Sequence, residues 1–464
     1  MIIEQIYTGC LAQGAYYLEC NGEAAVIDPL RDYQTYIKRA ERSGAKLKYI
    51  FETHFHADFV SGHLDLARAT GAKIVYGPGA KTDYEKYEAK DGEVLPLGQV
   101  SIEVLHTPGH TNESTCYLLR DGSGQPKALF TGDTLFIGDV GRPDLSQPGS
   151  GITMEDQAGV LFDSLREKVM PLPDDVIVYP AHGAGSACGK KMSRETTDTL
   201  GNQKQTNYAL RANMTRDEFI KEVTDGLMPP PAYFFENARL NKQGYDSFKQ
   251  ALDQGLQALS PAEFEVAANR EEALVLDVRD KTEFVKGFIP NSIFIGLDGS
   301  FAPWAGAMIP NLDRPILLVA PKGREEEAVT RLARVGFDRV IGYLDTDMAG
   351  WQASGRELDH IETIKAHQLE DHQQANSQAT TLDLRKSNEW KGGHLSYAKN
   401  HPLDYLNDSM SELDQSQTYY LHCRSGYRST IAASILKARG FHQLVNIQDK
   451  VEDILATEKT ATAA

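Results

Sequence analysis

Apolar residues in this chain recur in short runs that stop at polar clusters. Over the first half, runs at residues 24–28, 49–53, 73–76, 102–106 and 128–132 each predict a buried β-strand. Histidines and aspartates gather where these runs end, which places them in strand-end loops. Three successive prolines in Met228-Pro-Pro-Pro-Ala232 lack backbone donors and fix φ, so a domain boundary is expected there. A helical tail over residues 246–258 can still pack on the first domain.

The second half repeats itself. Leu274-Val-Leu-Asp-Val-Arg279 and Thr381-Leu-Asp-Leu-Arg385 each end an apolar strand in Asp-x-Arg, followed by Glu-aromatic and then glycine. Pro315-Ile-Leu-Leu-Val-Ala320 leading to Gly336-Phe337 matches Thr418-Tyr-Tyr-Leu-His-Cys423 leading to Gly440-Phe441. In each copy a buried strand leads through a turn to an amphipathic helix. Residues 430–439, for example, put Ile431, Ser434, Ile435 and Ala438 on one face. Strand followed by helix predicts an α/β domain with a parallel sheet.

Length and charge narrow this picture. A chain of 464 residues exceeds one ordinary core, and three domains are read: 1–240, 260–357 and 360–455. Residues 457–464 are expected to fray. With 65 acidic against 48 basic residues the net charge is -17, which disfavours nucleic acid and anionic membranes as partners. Residues 1–7 have no basic n-region or apolar stretch of a signal peptide, and no later segment reaches the length of a membrane span. A cytoplasmic protein is expected, with self-association left open. Five scattered cysteines, Cys10, Cys20, Cys116, Cys188 and Cys423, predict thiols rather than a disulfide framework. Cys20 and Cys116 read as buried apolar filler.

Four strand-end segments carry metal-ligating side chains: Thr53-His-Phe-His-Ala-Asp58, Thr107-Pro-Gly-His110, Thr131-Gly-Asp133 and Tyr179-Pro-Ala-His182. A lone histidine such as His367 or His372 is more often a surface or core residue, but four such segments together are what a metal site needs. They resemble the metallo-β-lactamase superfamily over residues 1–240, which implies a four-layer αββα sandwich. Members such as the glyoxalase II hydrolases carry Asp-His where this chain has Asp58-Phe59, and the phenylalanine cannot serve a second ion.

A single ion held by His54, His110 and Asp133 remains, and two imidazoles with one carboxylate form the facial triad of non-haem Fe(II) oxygenases. The pattern is similar to persulfide dioxygenases, which implies one Fe(II) per chain on those three residues. On that resemblance His56, Asp58 and His182 orient ligands or bound water. Arg142, in Gly141-Arg-Pro-Asp144, either approaches an anionic substrate or makes a loop salt bridge.

Cys423-Arg-Ser-Gly-Tyr-Arg-Ser429 lies between an apolar strand and a helix read to begin near Thr430. A loop wrapped on a thiol at a helix N-terminus, with Arg424 and Arg428 near, favours thiolate and can hold an anion or a sulfane sulfur. Arg424, Ser425, Gly426, Tyr427, Arg428 and Ser429 are therefore the candidate cradle. With Asp383-Leu-Arg385, Glu389-Trp390 and Gly393-His394, the segment resembles rhodanese sulfurtransferases over residues 360–455, which implies a persulfide on Cys423. Cysteine phosphatases have related but longer loops and are the alternative for this domain. In the first copy the matching slot is Val319 or Ala320, neither of which can carry sulfur, so that copy is expected to be inactive.

The order of domains resembles bacterial persulfide dioxygenase–rhodanese fusions. It implies oxidation of a low-molecular-weight thiol persulfide by O2 to sulfite and thiol, with sulfane transfer through Cys423 that makes or uses thiosulfate. Two other readings stand beside it. One is a glyoxalase II-type zinc thioester hydrolase with an accessory sulfurtransferase, and the other is a persulfide sensor without turnover.

Overall fold

The computed structural model describes residues 1–145 and 151–461. The chain divides into two compact units, Met1–Phe248 with Ala333–Gly336, and Lys249–Leu332 with Phe337–Ala464.

In the first unit every run read as a strand is one. Two six-stranded mixed sheets form, the first in the order Ile2–Thr8, Gln13–Cys20, Glu23–Ile27, Lys46–Phe51, Lys73–Tyr76, Tyr87–Glu88. The second runs Asp198–Thr199, Ile177–Pro180, Pro126–Gly132, Thr115–Arg120, Val100–His106, Val94–Leu97. Period-two alternation sends neighbouring residues to opposite faces. Ile27, Phe51, Val104, Tyr117 and Phe130 meet between the sheets. Val26, Ile50 and Ile74 of the first sheet pack outward on Tyr36 and Ala40 of helix Gln34–Ser43 and on Leu64 and Leu66 of helix His63–Thr70. Leu118, Leu129 and Val178 of the second sheet pack on Leu161 and on Phe219 and Val223 of helix Arg216–Thr224. Helix, sheet, sheet, helix is the αββα sandwich expected.

The proline run at 228–232 is irregular, but helix Tyr233–Gln243 beyond it still belongs to this unit. Its Asn241 amide donates to the carbonyls of His56 at 2.7 Å and Phe59 at 2.8 Å.

The second unit holds two five-stranded parallel sheets of one topology. Strands Ala258–Leu259, Val340–Leu344, Ile316–Val319, Leu274–Asp277 and Ile293–Phe294 line up in the order repeated by Glu362–Ile364, Leu444–Ile447, Tyr419–His422, Thr380–Asp383 and Lys399–Asn400. The Asp-x-Arg motif explains itself as structure. Arg279 closes on the Asp277 carboxylate and donates to Gly287 O at 2.9 Å, and Arg385 does the same with Asp383 and Gly393 O at 2.8 Å. Of the stretch expected to fray, residues 457–461 continue helix Val451–Ala461, and residues 462–464 lie outside the described residues.

Register removes the ambiguity in the first copy. Asp277 pairs with Val319 as Asp383 pairs with His422, so Ala320 stands where Cys423 does. The glycines three residues on, Gly323 at φ 83° and Gly426 at φ 85°, turn the chain alike.

Candidate metal centre and cysteine loop

Five loops at the C-terminal ends of strands in the first unit supply one buried cluster: Asp28, Thr53 to Asp58, His110, Asp133 and His182. The turn into Asp133 requires its glycine. Gly132 has φ +51°, and a Cβ there would lie 2.5 Å from Thr53 Oγ1.

His110 Nε2 lies 3.4 Å and His54 Nε2 3.8 Å from Asp133 Oδ2. Both rings are held by their other nitrogen. His110 Nδ1 bonds to Arg142 O at 2.8 Å, which makes it the donor and leaves Nε2 with its lone pair. Thr53 Oγ1 donates to Asp28 Oδ2 at 2.9 Å, so it accepts from His54 Nδ1 at 2.9 Å, and His54 Nε2 is free as well. Asp28 also accepts from Thr53 N at 2.8 Å. Burial pushes the His54 imidazole well below its usual pKa, and the neighbouring His56, His110 and His182 add to this, keeping it neutral.

His110 Nε2 and both Asp133 carboxylate oxygens are buried and have no hydrogen-bond partner. Lone pairs converging without a donor fit a cation. One ligand atom from each of His54, His110 and Asp133 falls within 4.8 Å of the others, so these three fit one metal ion.

The other carboxylate oxygen faces a second group. His182 Nε2 lies 3.6 Å from Asp133 Oδ1 and 3.4 Å from Asp58 Oδ2. Burial alone would lower His182, but Asp58 and Asp133 outweigh it and raise the group to about 10. Phe59 is fully buried here, stacked on His56 at 4.2 Å and edge-on to His182 at 6.5 Å. His56 Nε2 faces away from the triad, 3.0 Å from Asp28 Oδ1 and 3.8 Å from Glu52 Oε2.

Sequence reasoning missed Asp28, Thr53 and Cys188. Asp28 and Thr53 do close strand runs, a signal that was available. Cys188 sits in a loop with no motif, yet its sulfur shares a 4.8 Å cluster with Asp133 and His182. Burial, with Asp58 and Asp133 adding, pushes its thiol well above the usual range. The Arg142 side chain is buried. Its guanidinium holds Asp144 at 2.6 and 2.7 Å and donates to Ala187 O at 3.0 Å and Met228 O at 2.6 Å, so it makes the loop salt bridge while its carbonyl holds His110.

In the second unit Cys423 is buried at the end of strand Tyr419–His422. The helix begins earlier than the sequence predicts, at Tyr427, so Tyr427, Arg428 and Ser429 form its first turn. Gly426 is constrained twice, by φ +85° and by Gln448 Cα, which a Cβ would meet at 2.8 Å. Ser429 and Thr430 hydroxyls donate to Gly426 O at 3.2 and 2.7 Å. Arg424 and Ser425 are exposed, and Arg428 is engaged by Glu389 at 2.6 and 2.9 Å. In the first copy Glu325 occupies the corresponding turn, accepting from Gly323 N at 3.0 Å.

The fold and its cluster thus define a metal-binding αββα unit joined to two parallel-sheet units, one bearing a cysteine loop. Family comparison agrees. Residues 8–182 match the metallo-β-lactamase superfamily, and residues 260–354 and 365–455 each match the rhodanese-like domain. The chain is 36% identical to a hydroxyacylglutathione hydrolase of Polaromonas sp. over 39% of its own length and 66% of the relative's, just short of two thirds. It is 30% identical to the mitochondrial persulfide dioxygenase ETHE1 of Bos taurus, over 45% of its own length and 74% of the relative's. A solved metallo-beta-lactamase from Staphylococcus aureus subsp. aureus COL aligns with TM-score 0.64 and 32% identity, covering 74% of this chain and 98% of that one. The chain belongs to the metallo-β-lactamase superfamily and carries two rhodanese-like domains. Among the described residues no helix is long and apolar enough to cross a membrane.

Proposed function

We propose that this chain oxidises a low-molecular-weight thiol persulfide with O2 and transfers sulfane sulfur through Cys423. The observation that carries the first half is Phe59. It stands between His56 and His182 and brings no ligand to the His56, Asp58 and His182 group, which favours His54, His110 and Asp133 as the set that would hold a single ion. The relative named a persulfide dioxygenase supports this reading. One Fe(II) on the triad supplies the redox chemistry that joins a persulfide sulfur to O2. The reaction balances as R–S–SH + O2 + H2O giving R–SH, HSO3⁻ and H⁺.

The chain's own residues have definite tasks. Thr53 and the Arg142 carbonyl hold two imidazoles with their Nε2 lone pairs inward. His182, between Asp58 and Asp133, is placed to orient a ligand or a bound water. Burial of every ligand excludes bulk water.

At the second site the Cys423 thiolate attacks the outer sulfur of thiosulfate, forming a persulfide and releasing sulfite. The persulfide then passes its sulfur to an acceptor thiolate or to cyanide, regenerating Cys423. Run in reverse, the same steps make thiosulfate from the sulfite of the first site. The first copy, with Ala320 at this place, takes no part in covalent transfer. Five unpaired cysteines suit a reducing, cytoplasmic setting.

Protein loaded anaerobically with Fe(II) should consume O2 with glutathione or coenzyme A persulfide and release sulfite. Cys423→Ser should retain O2 uptake and lose thiosulfate formation and use. No uptake with either persulfide, together with thioester hydrolysis by the zinc form, favours the second reading. That reading is a hydrolase, and two observations support it: the hydroxyacylglutathione hydrolase relative, and Asp58, His182 and Asp133 standing together.

A further inference from the structure

Within the second unit the two repeats meet at the Cys423 loop. Lys281, the first residue of helix Lys281–Phe284 in the cysteine-less repeat, donates its ammonium to Ser425 O. Tyr427 Oη donates to Gly296 O of that repeat at 2.7 Å, and its ring lies edge-on to Phe294 at 5.9 Å. Two turns along the same helix, Ser434 Oγ accepts from Phe294 N at 2.9 Å. Gly299 leaves no room between the repeats, since a Cβ there would lie 2.4 Å from the Tyr427 ring.

The segment that receives Tyr427 is itself fixed. Arg331 of helix Glu325–Ala333 donates to Leu297 O at 2.8 Å, and Arg324, the residue before that helix, pairs with Asp298 at 2.8 Å. The helix that follows Cys423 therefore rests on a braced surface and not on a free loop. The Lys281 contact has a further effect. Ser425 O and Gly426 N–H belong to one peptide group of the loop that follows Cys423, and an ammonium on the carbonyl polarises that group, strengthening its N–H as a donor.

We infer that the cysteine-less repeat shapes the Cys423 loop for anionic sulfur, with its Lys281, and Tyr427 of the Cys423 repeat seated on it, as the positioning residues. This rests on Cys423 being the sulfur carrier. It gives a task to a domain that has Ala320 in place of the cysteine. Such a domain can discard the nucleophile and keep the surface that holds its partner's loop.

Full-length protein is tested with thiosulfate as donor and cyanide as acceptor, and separately by the rate at which iodoacetamide alkylates Cys423 at pH 7. Lys281→Met should lower kcat/KM about three- to tenfold, mostly through KM for thiosulfate, and slow alkylation by a similar factor. Lys281→Arg should restore both. Tyr427→Phe, which removes one oxygen, and Gly299→Ala, which pushes on the ring from the other repeat, should act in the same direction. Wild-type KM and alkylation rate in folded Lys281→Met and Tyr427→Phe would overturn the inference and leave the repeat as a spacer. If wild-type protein forms no thiocyanate but the variants still slow alkylation, the sulfurtransferase reading fails and the positioning stands. If Lys281→Met does not fold, Tyr427→Phe and Gly299→Ala decide alone.

Discussion

The hydroxyl of Thr53 offers the sharpest test of the metal centre. It donates to Asp28 and accepts from His54, each at 2.9 Å, and so fixes which imidazole nitrogen is free. Thr53→Val keeps the shape and removes both bonds. Asp28 Oδ2 then loses a donor inside the protein, at a cost of about 1–3 kcal/mol. For a unit of this size that lowers the melting temperature by about 2–4 °C per kcal/mol. His54 loses its orienting partner at the same time. Loss of such a partner costs about 10–100-fold in metal affinity, or about 1.4–2.8 kcal/mol at about 1.4 kcal/mol per tenfold. Chelator competition with Co(II) or anaerobic Fe(II) measures the affinity, and thermal unfolding of the metal-free protein measures the stability. Thr53→Ser should recover both. If Thr53→Val melts lower but binds metal within about threefold of wild type, the hydroxyl serves packing alone and the orienting role is refuted.

Three further outcomes are expected. Phe59→His should raise bound metal from one to two ions per chain, because it adds an imidazole beside Asp58, His182 and Asp133; a stoichiometry that stays at one means that more than Phe59 excludes the second ion. Burial, with the charges of His56, Arg31 and Arg68 adding, pushes His63 down to about 3, while in the unfolded chain it titrates near 6.5. Between those values the unfolded state holds the extra proton, so stability falls as pH drops, by up to about 1.4 kcal/mol per pH unit. His63→Phe should flatten that acid limb in metal-free melts, and an unchanged slope would place the titration elsewhere. Finally, Ala320→Cys combined with Cys423→Ser should form no thiocyanate. The Glu325 carboxylate already occupies the turn, and three glutamates open the following helix. Recovered activity would show that the loop needs only a cysteine.

The main elements of the candidate sites announced themselves locally. The runs that end at His54, His110, Asp133 and His182 are short, apolar and capped by ligands, and the pattern alone marks strands with chemistry at their ends. The duplicated Asp-x-Arg strand and the Cys423 segment were equally legible, because a repeat preserves order along the chain. Phe59 could be read as a ligand lost from a motif.

What tertiary structure decided depends on distances between residues far apart in sequence. Whether Val319 or Ala320 matches Cys423 is a matter of sheet register, which strand pairing fixes and spacing does not. Arg142 could face a substrate or a neighbour, and only the placement of Asp144, Ala187 and Met228 turned it to the neighbours. Cys188 carries no motif and gains its place because the fold brings a loop to Asp133 and His182. The proline run stops regular structure without ending the unit, since Asn241 beyond it bonds to His56 and Phe59. Sequence determined which side chains could do chemistry and at which strand ends they stand. Packing determined which nitrogen of each histidine is free, and which repeat holds the Cys423 loop, because hydrogen bonds between distant segments exist only after the chain has folded.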